Sequence, residues 1–291
     1  MKFIAIALVI SAITGSALGC GTDNPNDGFL PENTMNIPVG AKSAGGLTEA
    51  QFNAVIDRIE PIYAPVVASR GGKLKINRKW TDGTVNANAT EFFGTWTVNM
   101  YGGLARHEKI TEDGFSLVLC HELGHHMGGA PKVALNFLMK WASNEGQADY
   151  WATLKCLRTV WAHDNNEAVV RSLNAPQILV DACNKSHGDK ADRSICIRGG
   201  MAGASVSALF AAMRNKPEAQ FNTPDTSVVS RTNDAHPEFQ CRLDTYFQGA
   251  LCEKAFTEDV SQKDEVTGTC HASTGYTVGV RPLCWFKPSV R

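Results

Sequence analysis

Cys120-His121-Glu122-Leu123-Gly124-His125-His126 carries the pattern His-Glu-x-x-His inside a segment that reads as a helix. Two histidines four apart on a helix share one face, about 6 Å apart along its axis. Both imidazoles can then reach one metal ion. The glutamate beside the first can take a proton from a water that the ion polarises. Three fixed residues in five recur by chance, so the motif alone leaves a purely structural pair of histidines open. The stretch Asn144-Glu145-Gly146-Gln147-Ala148-Asp149 narrows the choice. Glu145 and Asp149 fall one helical turn apart, on one face. The interval 126–143 is long enough for a helix end, a turn and the start of a second helix packed on the first.

In that arrangement His121, His125 and Glu145 would offer two nitrogens and one oxygen to a single Zn2+. The fourth position stays open, as in a catalytic rather than a structural site. Asp149 is placed to accept the other ring N–H of a ligand histidine. A solvated carboxylate at 145 and a surface charge at 149 are the bland alternatives, and the joint spacing argues against both.

Composition bounds the rest. The chain has 291 residues and a formal net charge of −1, so neither nucleic acid nor an anionic membrane surface is attracted through net charge. Met1-Lys2 is a short basic start, and residues 3–13 form an apolar run too short to span a bilayer. Residues 1–19 read as a signal peptide. Ala17 and Gly19 fit ordinary signal cleavage. Small residues before Cys20 also resemble a bacterial lipoprotein box, with Ala17 where leucine is usual. The lipid reading is preferred because residues 20–46 are rich in Gly, Asn and Pro and read as a poorly ordered tether. Membrane contact is expected only through such a lipid. Of nine cysteines, setting Cys20 aside leaves Cys120, Cys156, Cys183, Cys196, Cys241, Cys252, Cys270 and Cys284. An even set in an exported chain suggests disulfides. Cys183 with Cys196 is the pairing favoured by a short polar loop, and a buried free thiol at Cys120 is an equal alternative to its pairing.

Along the chain, Thr48 and Gln51 have the spacing of a capping box. They open a helix that Pro61 and Pro65 are expected to break or kink. Residues 73–80 alternate as a strand with one wet face, and residues 95–101 form the clearest strand. Thr111 caps the metal-motif helix. A second helix is expected from about Val133 or Trp141 through Cys156. Residues 203–213 read as a buried helix, and a third helix as starting at His236-Pro237 and running to about Phe256. The domain is expected over 47–256, with a cysteine-containing tail packed on it over 257–291.

With these residues in place, the sequence resembles the gluzincin metallopeptidases. More narrowly, it is similar to the family of the HtpX heat-shock protease, the type I CAAX prenyl proteases and the periplasmic BepA-like proteases. The likeness rests on Val85-Asn86-Ala87, residues 97–104, the His121–His125 motif, Glu145 with Ala148-Asp149, and His236-Pro237 with Arg242. The fold it implies is α+β and zincin-like. A small, mostly antiparallel sheet would pack on the active-site helix beside a second zinc-ligand helix, with a disulfide-rich C-terminal region. His236 and Arg242 would stabilise a developing oxyanion, and Glu122 would act as general base. The strand at 95–101 would offer a free edge to an extended peptide. The short interval from His125 to Glu145, the Asn-Glu pair, the lack of HtpX-like transmembrane helices and the cysteine-rich tail depart from the family pattern.

The activity this implies is a zinc endopeptidase acting on unfolded or flexible protein substrates of the periplasm or cell envelope. The alternatives are a chaperone-like or binding lipoprotein whose zinc site is self-blocked, and a secreted, thermolysin-like exoenzyme without lipid. His107, His126, His163, His187 and His271 have no motif behind them and read as surface or packing residues.

Overall fold

The computed structural model describes residues 28–41, 45–134 and 140–289. The expected signal peptide and Cys20 lie outside the described residues. The fold is α+β, with a three-stranded mixed sheet and many helices.

Helix α1 (Glu49–Ser69) starts at the Thr48–Gln51 capping box, with both reciprocal bonds made. It runs unbroken through Pro61 and Pro65, contrary to the expected break. Both prolines lie on its exposed side. Phe52, Val55, Ile56, Ile59, Tyr63 and Val67 form a buried stripe at helical spacing that holds the helix through them.

The sheet consists of β1 (Lys73–Lys79), β2 (Ala87–Phe92) and β3 (Thr95–Tyr101), in the order β1-β3-β2. The pair β2–β3 is an antiparallel hairpin turning at Phe93-Gly94, whereas β1 pairs with β3 in parallel. Two expectations are corrected here. The sheet is mixed rather than mostly antiparallel, and β3 is its centre, bonded on both sides. The outer side of β2 is the edge that faces residues 28–30, through Phe29 N–H to Ala87 O at 2.8 Å, and Ile37 N–H bonds Gly83 O, ahead of β2, at 2.8 Å.

Those bonds hold residues 29–37, within the stretch read as a tether, against the fold. Phe29 and Leu30 are fully buried. Each gains about 2 kcal/mol by leaving water, which a free tether forgoes.

The short α2 (Gly102–Arg106) leads to α3 (Glu112–Met127), the hub of the molecule. Thr111 caps α3 by accepting from Gly114 N–H at 3.0 Å. From Gly114 to Met127 every residue is buried, because the sheet, α1, the long helix at Lys190–Met213 and the next helix cover it on all sides. That next helix, α4 (Glu145–Trp151), starts later than the expected 133 or 141. Its start is set by Asn144, whose side chain accepts from Gln147 N–H at 3.0 Å. A π-helical turn (Ala152–Cys156) joins it to α5 (Leu157–Trp161). Gly124 lets α3 and α4 approach closely, since a Cβ there would lie 3.0 Å from Ala148 Cα. The disulfide Cys120–Cys156 ties α3 to the π-helical turn that follows α4, one residue before His121. It settles the open question at Cys120.

Helices α6 (Asn166–Ser172) and α7 (Gln177–Ser186) follow, then α8 (Lys190–Met213), which contains the buried helix expected over 203–213. Helix α8 has the length and apolarity of a membrane span, but 83% of its apolar window is buried in the domain, as in a core helix. His236-Pro237 precede α9 (Phe239–Leu251) rather than open it. Cys183 pairs with Cys196, Cys241 with Cys284 and Cys252 with Cys270. The last two staple the tail to α9. Four disulfides are compatible with an exported protein.

Candidate metal centre

Helix α3 presents His121 and His125 to the N-terminal end of α4, where Glu145 begins the helix. His121 Nε2 lies 3.0 Å from His125 Nε2 and 3.3 Å from Glu145 Oε2. Glu145 Oε1 lies 3.6 Å from His125 Nε2. Ligand bonds of about 2 Å at tetrahedral angles put ligand atoms about 3.3 Å apart, so the three atoms are spaced to hold a metal ion. All three residues are buried. Among the described residues, no further histidine, cysteine or carboxylate joins this group.

The far side of each ring fixes its tautomer. His121 Nδ1 is 2.7 Å from Asp149 Oδ1, and His125 Nδ1 is 2.8 Å from the Ser143 carbonyl. A carboxylate and a carbonyl can only accept, so both Nδ1 atoms carry hydrogen and both Nε2 lone pairs face the gap. Two lone pairs 3.0 Å apart repel unless a cation or a proton lies between them.

Asp149 is itself held firmly. Arg242 Nε donates to its Oδ2 and Arg242 Nη2 to its Oδ1, both at 2.7 Å. The Tyr246 hydroxyl donates to Oδ1 at 2.7 Å. Burial opposes the charge on Asp149, but Arg242 and His121 outweigh it and lower its pKa. The same balance lowers the pKa of Glu145, against burial, through His236, His125 and His121.

His236 Nε2 is 3.4 Å from Glu145 Oε2 and donates to the Gly28 carbonyl at 2.8 Å. Arg242 Nη2 is 3.9 Å from Glu145 Oε2. All seven residues marked in the sequence therefore lie at one place: Glu122, His121, His125, Glu145, Asp149, His236 and Arg242. Both oxygens of Glu122 lack hydrogen-bond partners among the described residues although the side chain is buried. Burial, opposed by His121, pushes its pKa up to about 8.

Sequence reasoning missed Tyr246, Ser143 and residues 28–30. Tyr246 was within reach: it follows Arg242 by one helical turn and shares its face. His126 belongs beside the site as packing. Its ring stacks on Trp96 at 5.0 Å and on Trp141 at 4.6 Å between centroids.

Charge balance is consistent with an ion. Glu122, Glu145 and Asp149 bring three negative charges when ionised, and Arg242 brings one positive. A divalent ion makes the balance neutral. Without it, protons must take its place. Burial works against charge on His121, but Asp149 and Glu145 outweigh burial and raise its pKa to about 9. His125 is pushed down to about 4 by burial and stays neutral. An ion therefore competes with one proton on His121 below about pH 9. Apparent metal affinity is expected to rise by about tenfold or more per pH unit up to about pH 8, where the Glu122 proton is displaced as well, and to level off above about pH 9. Titration against a competing chelator across that range checks the slope. A flat profile would mean that His121 holds no proton in the free site.

Comparisons of the chain with protein families, with curated proteins and with solved structures find no match.

Proposed function

We propose that this protein is a zinc-dependent endopeptidase of zincin-like fold, hydrolysing peptide bonds in unfolded or flexible proteins of the cell envelope. The observation that carries the reading is a three-atom ligand set, two imidazoles and a carboxylate, with the unpartnered Glu122 on the same helix. Two nitrogens and one oxygen suit zinc, and three protein ligands leave room for chemistry. Zinc, when bound, supplies a Lewis acid that polarises water and the scissile carbonyl.

The chain's own groups then have distinct tasks. Glu122 accepts a proton from the attacking water and returns it to the leaving amine. His236 carries hydrogen on Nε2, since it donates to a carbonyl, and can donate to the oxygen on which charge develops. Arg242 spends two donors on Asp149 and keeps Nη1 for a peptide carbonyl. An extended substrate would add along the outer side of β2, not along β3. The four disulfides agree with a place in the periplasm or, through lipid on Cys20, at the outer membrane.

A second reading, a chaperone-like or binding lipoprotein with a closed zinc site, is favoured by one observation. Residues 28–30 lie against His236 and Arg242.

Metal analysis with casein and peptide-library cleavage on the same samples tests the proposal. Wild type is expected to hold one zinc and to cleave. His125→Ala is expected to do neither, because it removes a ligand. A wild type that takes up no zinc overturns both readings, and one that holds zinc yet cleaves nothing leaves the second.

A further inference from the structure

Residues 28–30 meet the candidate site through their backbone. Phe29 N–H donates to Ala87 O at 2.8 Å. Asn86 accepts from Leu30 N–H at 2.9 Å and donates to Leu30 O at 3.1 Å. His236 Nε2 donates to Gly28 O at 2.8 Å, and Arg242 Nη1 to Phe29 O at 3.0 Å. The Phe29 ring stands edge-on to the His121 ring at 4.9 Å, tilts on Phe210 at 5.4 Å and has the Arg242 guanidinium 4.6 Å from its centroid.

A peptide bound along β2 needs these same groups. It would use the Ala87 carbonyl and the Asn86 amide as backbone partners, and His236 and Arg242 as donors to its carbonyls. The pocket between His121, Phe210 and Arg242 would take one of its side chains.

We infer that residues 28–30 are an internal pseudosubstrate of this site. They occupy the peptide path, and their Phe-Leu sequence names the substrate class: chains with an aromatic residue followed by an aliphatic one. The inference rests on the peptidase reading of the same site.

Two features make the segment a plug rather than an extended strand. Gly28 N–H turns back to Leu30 O at 3.1 Å, a bond that an extended peptide lacks. Gly28 also lies so close to β2 that a Cβ would come 2.1 Å from Ala87 O, closer than any real contact. A side chain at position 28 therefore expels the segment from the edge. Truncating Phe29 instead empties its pocket without a clash.

The probe is acetyl-Gly-Phe-Leu-amide, with acetyl-Gly-Ala-Ala-amide as control. Binding is measured by calorimetry on the zinc-loaded full chain carrying Glu122→Gln, so that nothing is hydrolysed. Adding Gly28→Val or Phe29→Ala is expected to tighten the Phe-Leu peptide by about tenfold or more, because the path is no longer filled from within. The control should gain less. Variants that keep a single thermal transition but bind no tighter overturn the inference. Should both variants fail to fold, hydrogen exchange on the parent chain decides. Saturating peptide should speed exchange at the Phe29 and Leu30 amides, and unchanged exchange overturns the inference. Casein hydrolysis by the chain with Glu122 intact is read separately. No hydrolysis with tightened binding removes the peptidase and leaves residues 28–30 as the internal occupant of a peptide-binding path; hydrolysis without tightening keeps the peptidase and removes the occupant.

Discussion

Glutamine in place of Glu122 is expected to leave metal uptake intact and to slow casein hydrolysis by about a thousandfold, roughly 4 kcal/mol of barrier. The carboxylate is not among the three atoms spaced to hold the ion, so the ligand set survives the change. Its oxygens have no hydrogen-bond partner among the described residues, so no structural bond is lost. What disappears is, among the described residues, the one buried carboxylate of the site not already bound to a cationic side chain or spaced as a ligand. A control lies in the metal-free proteins. Burial raises the pKa of Glu122 to about 8, above its unfolded value. The folded chain therefore keeps this proton while the unfolded chain loses it. Wild type should lose stability through this group as pH rises toward 8, and Glu122→Gln should not. Denaturant unfolding at pH 5 and at pH 8 reads that difference independently of catalysis. Equal casein hydrolysis by both proteins would remove Glu122 from the chemistry.

How far the sequence reached depended on how local each signal was. The i, i+4 histidines, the Thr111 cap and the 95–101 strand are set by neighbouring residues, and each stands where the pattern put it. The start of α4 is also local, yet the apolar Trp141 masked the Asn144 cap. Proline is a local signal too, but at 61 and 65 it was outweighed by a buried stripe that the helix has to present whole. Strand order was out of reach. That β3 lies between β1 and β2 depends on a parallel pairing across a hairpin, and no residue in β3 announces a partner on both sides. Residues 28–30 were hidden by averaging. Two buried apolar side chains sit in a run whose Gly, Asn and Pro content reads as a tether, and the bonds that hold them come from Asn86, Ala87, His236 and Arg242. The pairing of His121 with Asp149 was legible because both lie on predictable helix faces. The hydroxyl of Tyr246 reaches the same carboxylate from one turn beyond Arg242, with no motif to mark it.

Arg242→Met is expected to cost about 3–5 kcal/mol of stability, because it leaves a buried carboxylate without its cation. Arg242 is fully buried, gives Asp149 two bonds of 2.7 Å, and lies over the rings of Phe29 and Phe210 at 4.6 and 4.4 Å. Methionine fills much of the aromatic slot but supplies none of the donors. Asp149 would then be left to His121 and Tyr246 alone. A carboxylate that takes up a proton no longer fixes the Nδ1–H of His121, so metal affinity should fall about 10–100-fold as well. Arg242→Lys keeps the charge but not the two-pronged geometry, and should fall between wild type and Met on both measures. Adding Asp149→Asn to Arg242→Met removes the stranded charge, so the double variant should recover part of the lost stability while still binding metal weakly. Urea unfolding of the four proteins, with metal titration on each, separates these outcomes. A stability loss below about 1 kcal/mol, as for a surface change, with metal affinity unchanged, would mean that the guanidinium does not hold the site in shape.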